Sequence, residues 1–218
     1  MARECGETAV TSRVLVGDNP TSAILRAAVE VLANGGIVAY PTDTLYGLAV
    51  DPRQEAAVDQ LCRLKGRARG VGMPLIAADL RQVESWLGAL PPLGRRLARR
   101  FWPGPLTLVF EPEVALVPAI HATDGSLAVR VPRCDIARRL AGLRGHPITA
   151  TSANRAGMPP AATGRDVVAV FGSSVGLMLE QRGRLAGQAS TIVDARGVHP
   201  TLLRAGVVPW DRVLQSLA

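Results

Sequence analysis

The chain has 218 residues, 48% hydrophobic and 4% aromatic, with a formal net charge of +7. This suffices for one α/β domain or two small ones whose core is filled by Val, Leu, Ile and Ala. The three cysteines, Cys5, Cys62 and Cys134, are too far apart for a disulfide framework or metal motif, and neither a signal peptide nor a membrane-length apolar run is present. A reduced, soluble, cytoplasmic protein is expected. Its basic excess suits nucleic acid or phosphorylated small molecules, although a GC-rich genome would also favour arginine.

In chain order, "RVLV" (13–16) predicts a short strand. Asn19-Pro20 opens a helix over "TSAILRAAVEVLA", in which Ile24, Ala27, Ala28, Val31 and Leu32 keep helical spacing. Asn34-Gly35 ends it with a left-handed cap, and "GIVAY" (36–40) reads as a buried strand. "RQEAAVDQLCRL" is predicted helical, "PLIAA" a strand, and "DLRQVESWL" a helix capped by Asp79. "PPLGRRLARRF" is a basic helix, followed by strands "LTLVF" and "LAVRV". "CDIARRLAGL" is helical, "PITA" a strand, and "GRDVVAVFG" a helix opened by Thr163. Strands "STIVDA" and "TLLRA" precede a closing helix, "WDRVLQSL". This mixture predicts an α/β fold: a single-domain twisted mixed sheet flanked by helices over 1–218, with its core at about 15–210. Strand order is not readable from the pattern.

Four polar segments interrupt the apolar elements. "PTDTLYG" (41–47) follows a strand, where open α/β sheets bind ligands, although Pro, Asp, Thr and Gly also make ordinary turns. "KGRAR" carries Lys65, the only lysine among 25 basic residues. It reads either as a solvated helix end closed by Gly66 or as a polyphosphate grip, with an ammonium point charge beside arginine forks. "PITATSANRAG" (147–157) is a Ser/Thr/Asn turn or a nest for phosphate oxygens. Arg130 in "LAVRVP" and Arg204 in "TLLRAG" sit in apolar strands, where an arginine needs water, a partner or a ligand.

P-loop and dinucleotide-binding glycine motifs are missing, as are Cys/His metal spacings. His121, His146 and His199 are scattered, and Cys62 reads as a buried structural cysteine rather than an activated thiolate.

The segments "GGIVAYPTDTLYGLAVD", "RLKGRAR", "WPGPLTLVF", "LAVRVP", "ITATSANRAG", "STIVD" and "LLRAG", spanning about residues 23 to 206, resemble in order the YrdC-like family of L-threonylcarbamoyl-AMP synthases. The chain looks like the short form, without the extra C-terminal domain of longer members. The resemblance implies condensation of L-threonine, bicarbonate and ATP into threonylcarbamoyl-AMP and pyrophosphate, toward the t6A modification of tRNA at position 37. It implies Lys65 and Arg67 as catalytic ligands of the triphosphate. Ser126, Ser152, Asn154 and Arg204 would join them on ATP, and Thr42, Arg130 and Ser190 would hold L-threonine. Mg2+ is expected with ATP rather than on side chains, and a downstream t6A transferase complex is the expected partner. Departures from the family pattern are Ala68 for a common proline, the added Arg69, Ala77 and Ala78 where histidine is frequent, Arg155 after "SAN", and Pro160 for a common serine.

Three other readings stay open. One is an RNA-binding or ribosome-maturation module using the basic surface around "RRLARRF". Another is an unassigned YrdC-like paralogue. The third is a carbamoyl-transfer role in a hydrogenase-maturation-like assembly, disfavoured by the absence of acylphosphatase or zinc-finger segments.

Overall fold

In the computed structural model, which describes residues 12–16, 20–67, 70–185 and 187–218, strands and helices alternate along the chain. The N-terminal part holds β1 (Ser12–Val16), α1 (Ser22–Ala33), β2 (Val38–Tyr40), β3 (Gly47–Ala49), α2 (Glu55–Lys65) and β4 (Leu75–Ile76). Then come α3 (Leu80–Leu87), α4 (Pro92–Phe101), β5 (Leu106–Phe110), β6 (Leu127–Arg130), α5 (Asp135–Arg144) and β7 (Ile148–Thr149). β8 (Thr151–Ser152), α6 (Gly164–Phe171), β9 (Leu177–Gln181), β10 (Thr191–Asp194), β11 (Thr201–Arg204) and α7 (Trp210–Gln215) complete it. The expectations for Cys5, Asn19, Ala68 and Arg69 lie outside the described residues.

Side chains that satisfy orphan backbone groups fix several helix ends. Thr21 accepts from the Ile24 amide at the start of α1, and Asp79 from the Gln82 amide at the start of α3. Thr163 and Asp166 form a reciprocal capping box on α6. At the other end of α2, Gly66 has φ +63, a left-handed conformation that ends the helix on Lys65 and turns Arg67 away from its axis.

The strands form two mixed ladders, in the orders β1-β9-β2-β3-β8 and β11-β10-β5-β6-β4-β7. The fold is thus α/β with mixed sheets and flanking helices, but two ladders stand where the sequence suggests one sheet. Ala150 alone separates β7 of one ladder from β8 of the other. Its amide donates to the Pro74 carbonyl beside β4, so "PITATS" carries the chain across the junction.

Three strands escape the sequence reading. β3 and β8 are two or three residues long and sit inside segments whose hydroxyl and glycine content reads as turn. β9, "LMLEQ", is set centrally by parallel partners β1 and β2, distant in sequence.

Both faces of the central strands are covered, which explains their nearly continuous apolar runs. Ile37, Ala39, Leu75 and Met178 point into one core with α2, α3, α4, α6 and α7. Val38, Tyr40, Ile76, Leu177 and Leu179 point into a second core beneath α1 and α5. Each fully buried leucine, such as Leu25, Leu32 and Leu140, contributes roughly 1.5–3 kcal/mol. Among the described residues no helix is long and apolar enough to cross a membrane.

Candidate active site

The six-stranded ladder leaves part of one face uncovered, and strand alternation decides what appears there. Leu106, Leu108, Leu127, Val129 and Val193 face the core. Their neighbours Thr107, Val109, Ala128, Arg130 and Ile192 face the other way and line a cavity of ≈ 560 Å³. That volume is in the range of small-molecule sites. Loops bring Thr42, Thr44, Arg67, Ser126 and Ser190, and the last residues of β8 and β11 bring Ser152 and Arg204, to the same wall. Among the described residues its lining holds three arginines and no carboxylate.

Seven of the nine sequence-chosen site residues therefore meet at this cavity: Thr42, Arg67, Ser126, Arg130, Ser152, Ser190 and Arg204. Lys65 and Asn154 stand just behind its wall. The Lys65 side chain is 4% exposed, and its Nζ donates to the carbonyls of Ser152 and Asn154, the latter at 2.6 Å. The amide of Ala156 returns a bond to the Lys65 carbonyl. The end of α2 and the "SAN" loop are thereby one unit. Ser152 Oγ donates to Asn154 Oδ1 at 2.6 Å, and Asn154 Nδ2 donates to the carbonyls of Arg155 and Met158. The Asn154 side chain is thus spent on bracing its own loop.

A similar economy governs the "PTDT" turn. Thr42 Oγ1 accepts from the amides of Thr44 and Leu45 and lies 2.7 Å from the Leu45 carbonyl, to which it donates. This saturates the Thr42 hydroxyl and pins the turn. Thr44 is the hydroxyl that reaches the neighbouring cation, with Oγ1 accepting from Arg130 Nη1 at 3.1 Å. Across the cavity, Arg204 donates from Nε and Nη2 to the Ser190 carbonyl and from Nη2 to Ser190 Oγ. Ser190 Oγ is 2.8 Å from Thr107 Oγ1. A Cβ on Gly206 would collide with the backbone of 189–191, so glycine lets "LLRAG" lie against "STIVD". Thr44 and Thr107 escape the sequence reading. The alternation of "LTLVF" carries the signal for Thr107, a hydroxyl on the face opposite Leu106 and Leu108.

The basic groups here are all less favoured as cations than they would be in water. Burial, and then the charge of Arg67, lowers the Lys65 ammonium to about 8. Burial likewise lowers the guanidiniums of Arg67 and Arg130, with Asp43 opposing the effect at Arg130. Partial burial and repulsion from Arg130 lower Arg204. A bound anion would relieve each of these costs. Among the described residues no three His, Cys, Asp or Glu side chains cluster to hold a metal ion.

A family model for Sua5, YciO and YrdC proteins, described as "Telomere recombination", matches residues 30–206. The chain belongs to this family. The threonylcarbamoyl-AMP synthase of Chromohalobacter salexigens is 41% identical over 169 residues, 77% of this chain and 90% of its own length. That of Nitrosococcus oceani is 39% identical over 173 residues, 79% and 93% of the two chains. The crystal structure of P. abyssi Sua5 complexed with L-threonine superposes with TM-score 0.87 at 32% identity, covering 95% of this chain. This chain spans 61% of the length of that archaeal protein. E. coli YciO shares the fold, with TM-score 0.86 at 23% identity over 93% of this chain and 99% of its own.

Proposed function

We propose that the chain is an L-threonylcarbamoyl-AMP synthase, a nucleotidyltransferase that joins L-threonine, bicarbonate and ATP with release of pyrophosphate. The observation that carries this reading is the hydroxyl-rich cavity with three arginines and no carboxylate on its lining. Such a wall suits substrates that present anionic groups: a triphosphate, bicarbonate and an amino-acid carboxylate.

The threonine nitrogen attacks CO2 drawn from bicarbonate, forms the N–C bond and loses a proton, leaving a carbamate. A carbamate oxygen then attacks the α-phosphorus of ATP, and the bond to the β-phosphate oxygen breaks as pyrophosphate departs. No protein nucleophile is needed. The chain supplies alignment and fixed positive charge. Arg67 and Lys65 neutralise the triphosphate. Lys65 gives two of its three donors to loop carbonyls and keeps one for a phosphate oxygen. Ser126, Ser152 and Arg204 contact the nucleotide, Asn154 shapes the loop beneath it, and Mg2+ enters as part of the ATP substrate. Arg130 forks the threonine carboxylate, with Ser190 beside it and Thr42 holding the turn that bears Thr44.

The product would pass to a t6A transferase complex acting on tRNA in the cytoplasm. The test is synthesis from labelled bicarbonate, threonine and ATP, with direct detection of threonylcarbamoyl-AMP. Product should vanish when any one substrate is omitted, and equal pyrophosphate release without threonine would sink the proposal. The same assay separates a synthase from a paralogue of other activity.

A second reading, RNA binding, is favoured by α4. Arg95, Arg96, Arg99 and Arg100 rim a groove on it with Ser216. Arg95 is paired with Glu84 at 2.8 Å, whereas Arg96, Arg99 and Arg100 are exposed. RNA affinity should fall with salt along a slope set by the number of phosphates contacted, and Arg99→Ala with Arg100→Ala should flatten that slope.

A further inference from the structure

The guanidinium of Arg130 has a counter-ion that does not belong to the cavity. Asp43, at the tip of the "PTDT" turn, places Oδ1 3.4 Å from Arg130 Nη2. Among the described residues neither Asp43 oxygen has a hydrogen-bond partner, although both are buried. Asp43 is absent from the lining of the main cavity and lies on a smaller one of ≈ 330 Å³ with Arg133, Cys134 and Arg184. It therefore stands behind Arg130, on the side away from the main cavity. The backbone turn that carries it is held by the saturated Thr42 hydroxyl.

We propose that Asp43 is the positioning residue for Arg130: it anchors the buried guanidinium from behind, so that the remaining N–H donors face the carboxylate of the amino-acid substrate. The inference rests on the synthase reading and adds a residue to it. Arg130 is 6% exposed, and one lone cation in that place would be costly. A short bidentate pair with Asp43 would remove the cost but also consume the fork. At 3.4 Å the pair is loose, and the guanidinium donates to Thr44 Oγ1 instead. Arg130 is thus oriented on two sides while keeping donors and positive character for a second carboxylate. Selectivity for an amino acid over its uncharged amide follows from this arrangement.

The experiment compares wild type, Asp43→Asn, Thr44→Val and the double variant, with L-threonine and L-threoninamide as competing probes. Omitting threonine from the wild-type assay comes first: turnover without threonine would remove the synthase reading itself and this inference with it. Given a threonine requirement, Asp43→Asn should raise KM for threonine about tenfold or more, the size of one lost charge-assisted contact. KM for ATP should stay within about twofold, and the preference for threonine over threoninamide should shrink by a similar factor. Thr44→Val should act in the same direction, and the double variant should cost less than the product of the two factors. Unchanged or improved threonine KM in Asp43→Asn would overturn the inference. So would a parallel rise of both KM values with a fall in Tm, or multiplicative effects in the double variant.

Discussion

Among the described residues, the charged groups around Asp51 and those around the cavity resolve their electrostatics in opposite ways. Beyond β3, the Asp51 carboxylate is 0% exposed and accepts from the backbone and guanidinium of Arg53 and from Arg144. His146 Nε2 lies 3.5 Å from it, with the His146 ring tilted against Trp86. Burial alone would raise the Asp51 carboxyl, but the neighbouring His146 ring and the bonds from Arg53 hold it far below the usual carboxylate range. The Arg53 guanidinium is raised in turn by its bond to Asp51. At the cavity the balance is reversed: burial lowers Lys65, Arg67, Arg130 and Arg204, and among the described residues Asp43 is the carboxylate that opposes it, at Arg130. A cluster in which partners strengthen each other's charge is a fastening. A cluster whose cations are weakened by their surroundings is waiting for an anion.

The contrast is sharpest at Lys65. Lys65→Ala should reduce synthesis by about a thousandfold, a loss on the scale of one removed transition-state charge contact, while circular dichroism stays native. Lys65→Arg should also be badly impaired, because the site behind Ser152 is closed and a planar fork is larger than an ammonium. Full activity in Lys65→Arg would show that the lone lysine is accidental.

Asp51→Asn should give the complementary result. Breaking that pair should cost about 3 kcal/mol in denaturant unfolding and leave both KM values unchanged. Because the folded-state pKa of Asp51 is depressed, its stabilisation is present above the unfolded value of roughly 4 and is lost as pH falls below it. The acid limb of the stability curve should therefore flatten in the variant.

The smallest effect is a proton. Free Lys65 titrates near 8, and a triphosphate beside it would raise that value. Binding of a non-hydrolysable ATP analogue should weaken as pH rises through about 8, by at most about tenfold per pH unit. Calorimetry in buffers of different ionisation enthalpy should detect proton uptake near pH 8.5 and none near pH 6.5. Uptake that persists in Lys65→Ala would assign the proton elsewhere and blur the contrast between the clusters.

Much of this was legible in advance. Apolar runs announce α1, α3 and α6, and Asp79 and Thr163 mark two of their starts, because those signals act within a few residues; α1 is capped by Thr21 rather than opened at Asn19-Pro20. The arginines of "LAVRVP" and "LLRAG" were suspect because an apolar strand offers them no local water. Thr44 and Thr107 were not found. A hydroxyl carries no such penalty, and its value depends on Arg130 and Ser190, distant in the chain. Thr42 lines the cavity and Asn154 stands beside it, but hydrogen bonds within their own loops occupy their polar atoms.

Local preference and composition account for the helices, most strands, the basic surplus and the four polar segments. Tertiary structure alone decided that two ladders form, that their strand order brings those segments around one cavity, and that Asp51 is matched while Arg130 keeps donors to spare. Pairing and burial depend on partners far along the chain, and burial determines whether a charge is satisfied or left for a ligand.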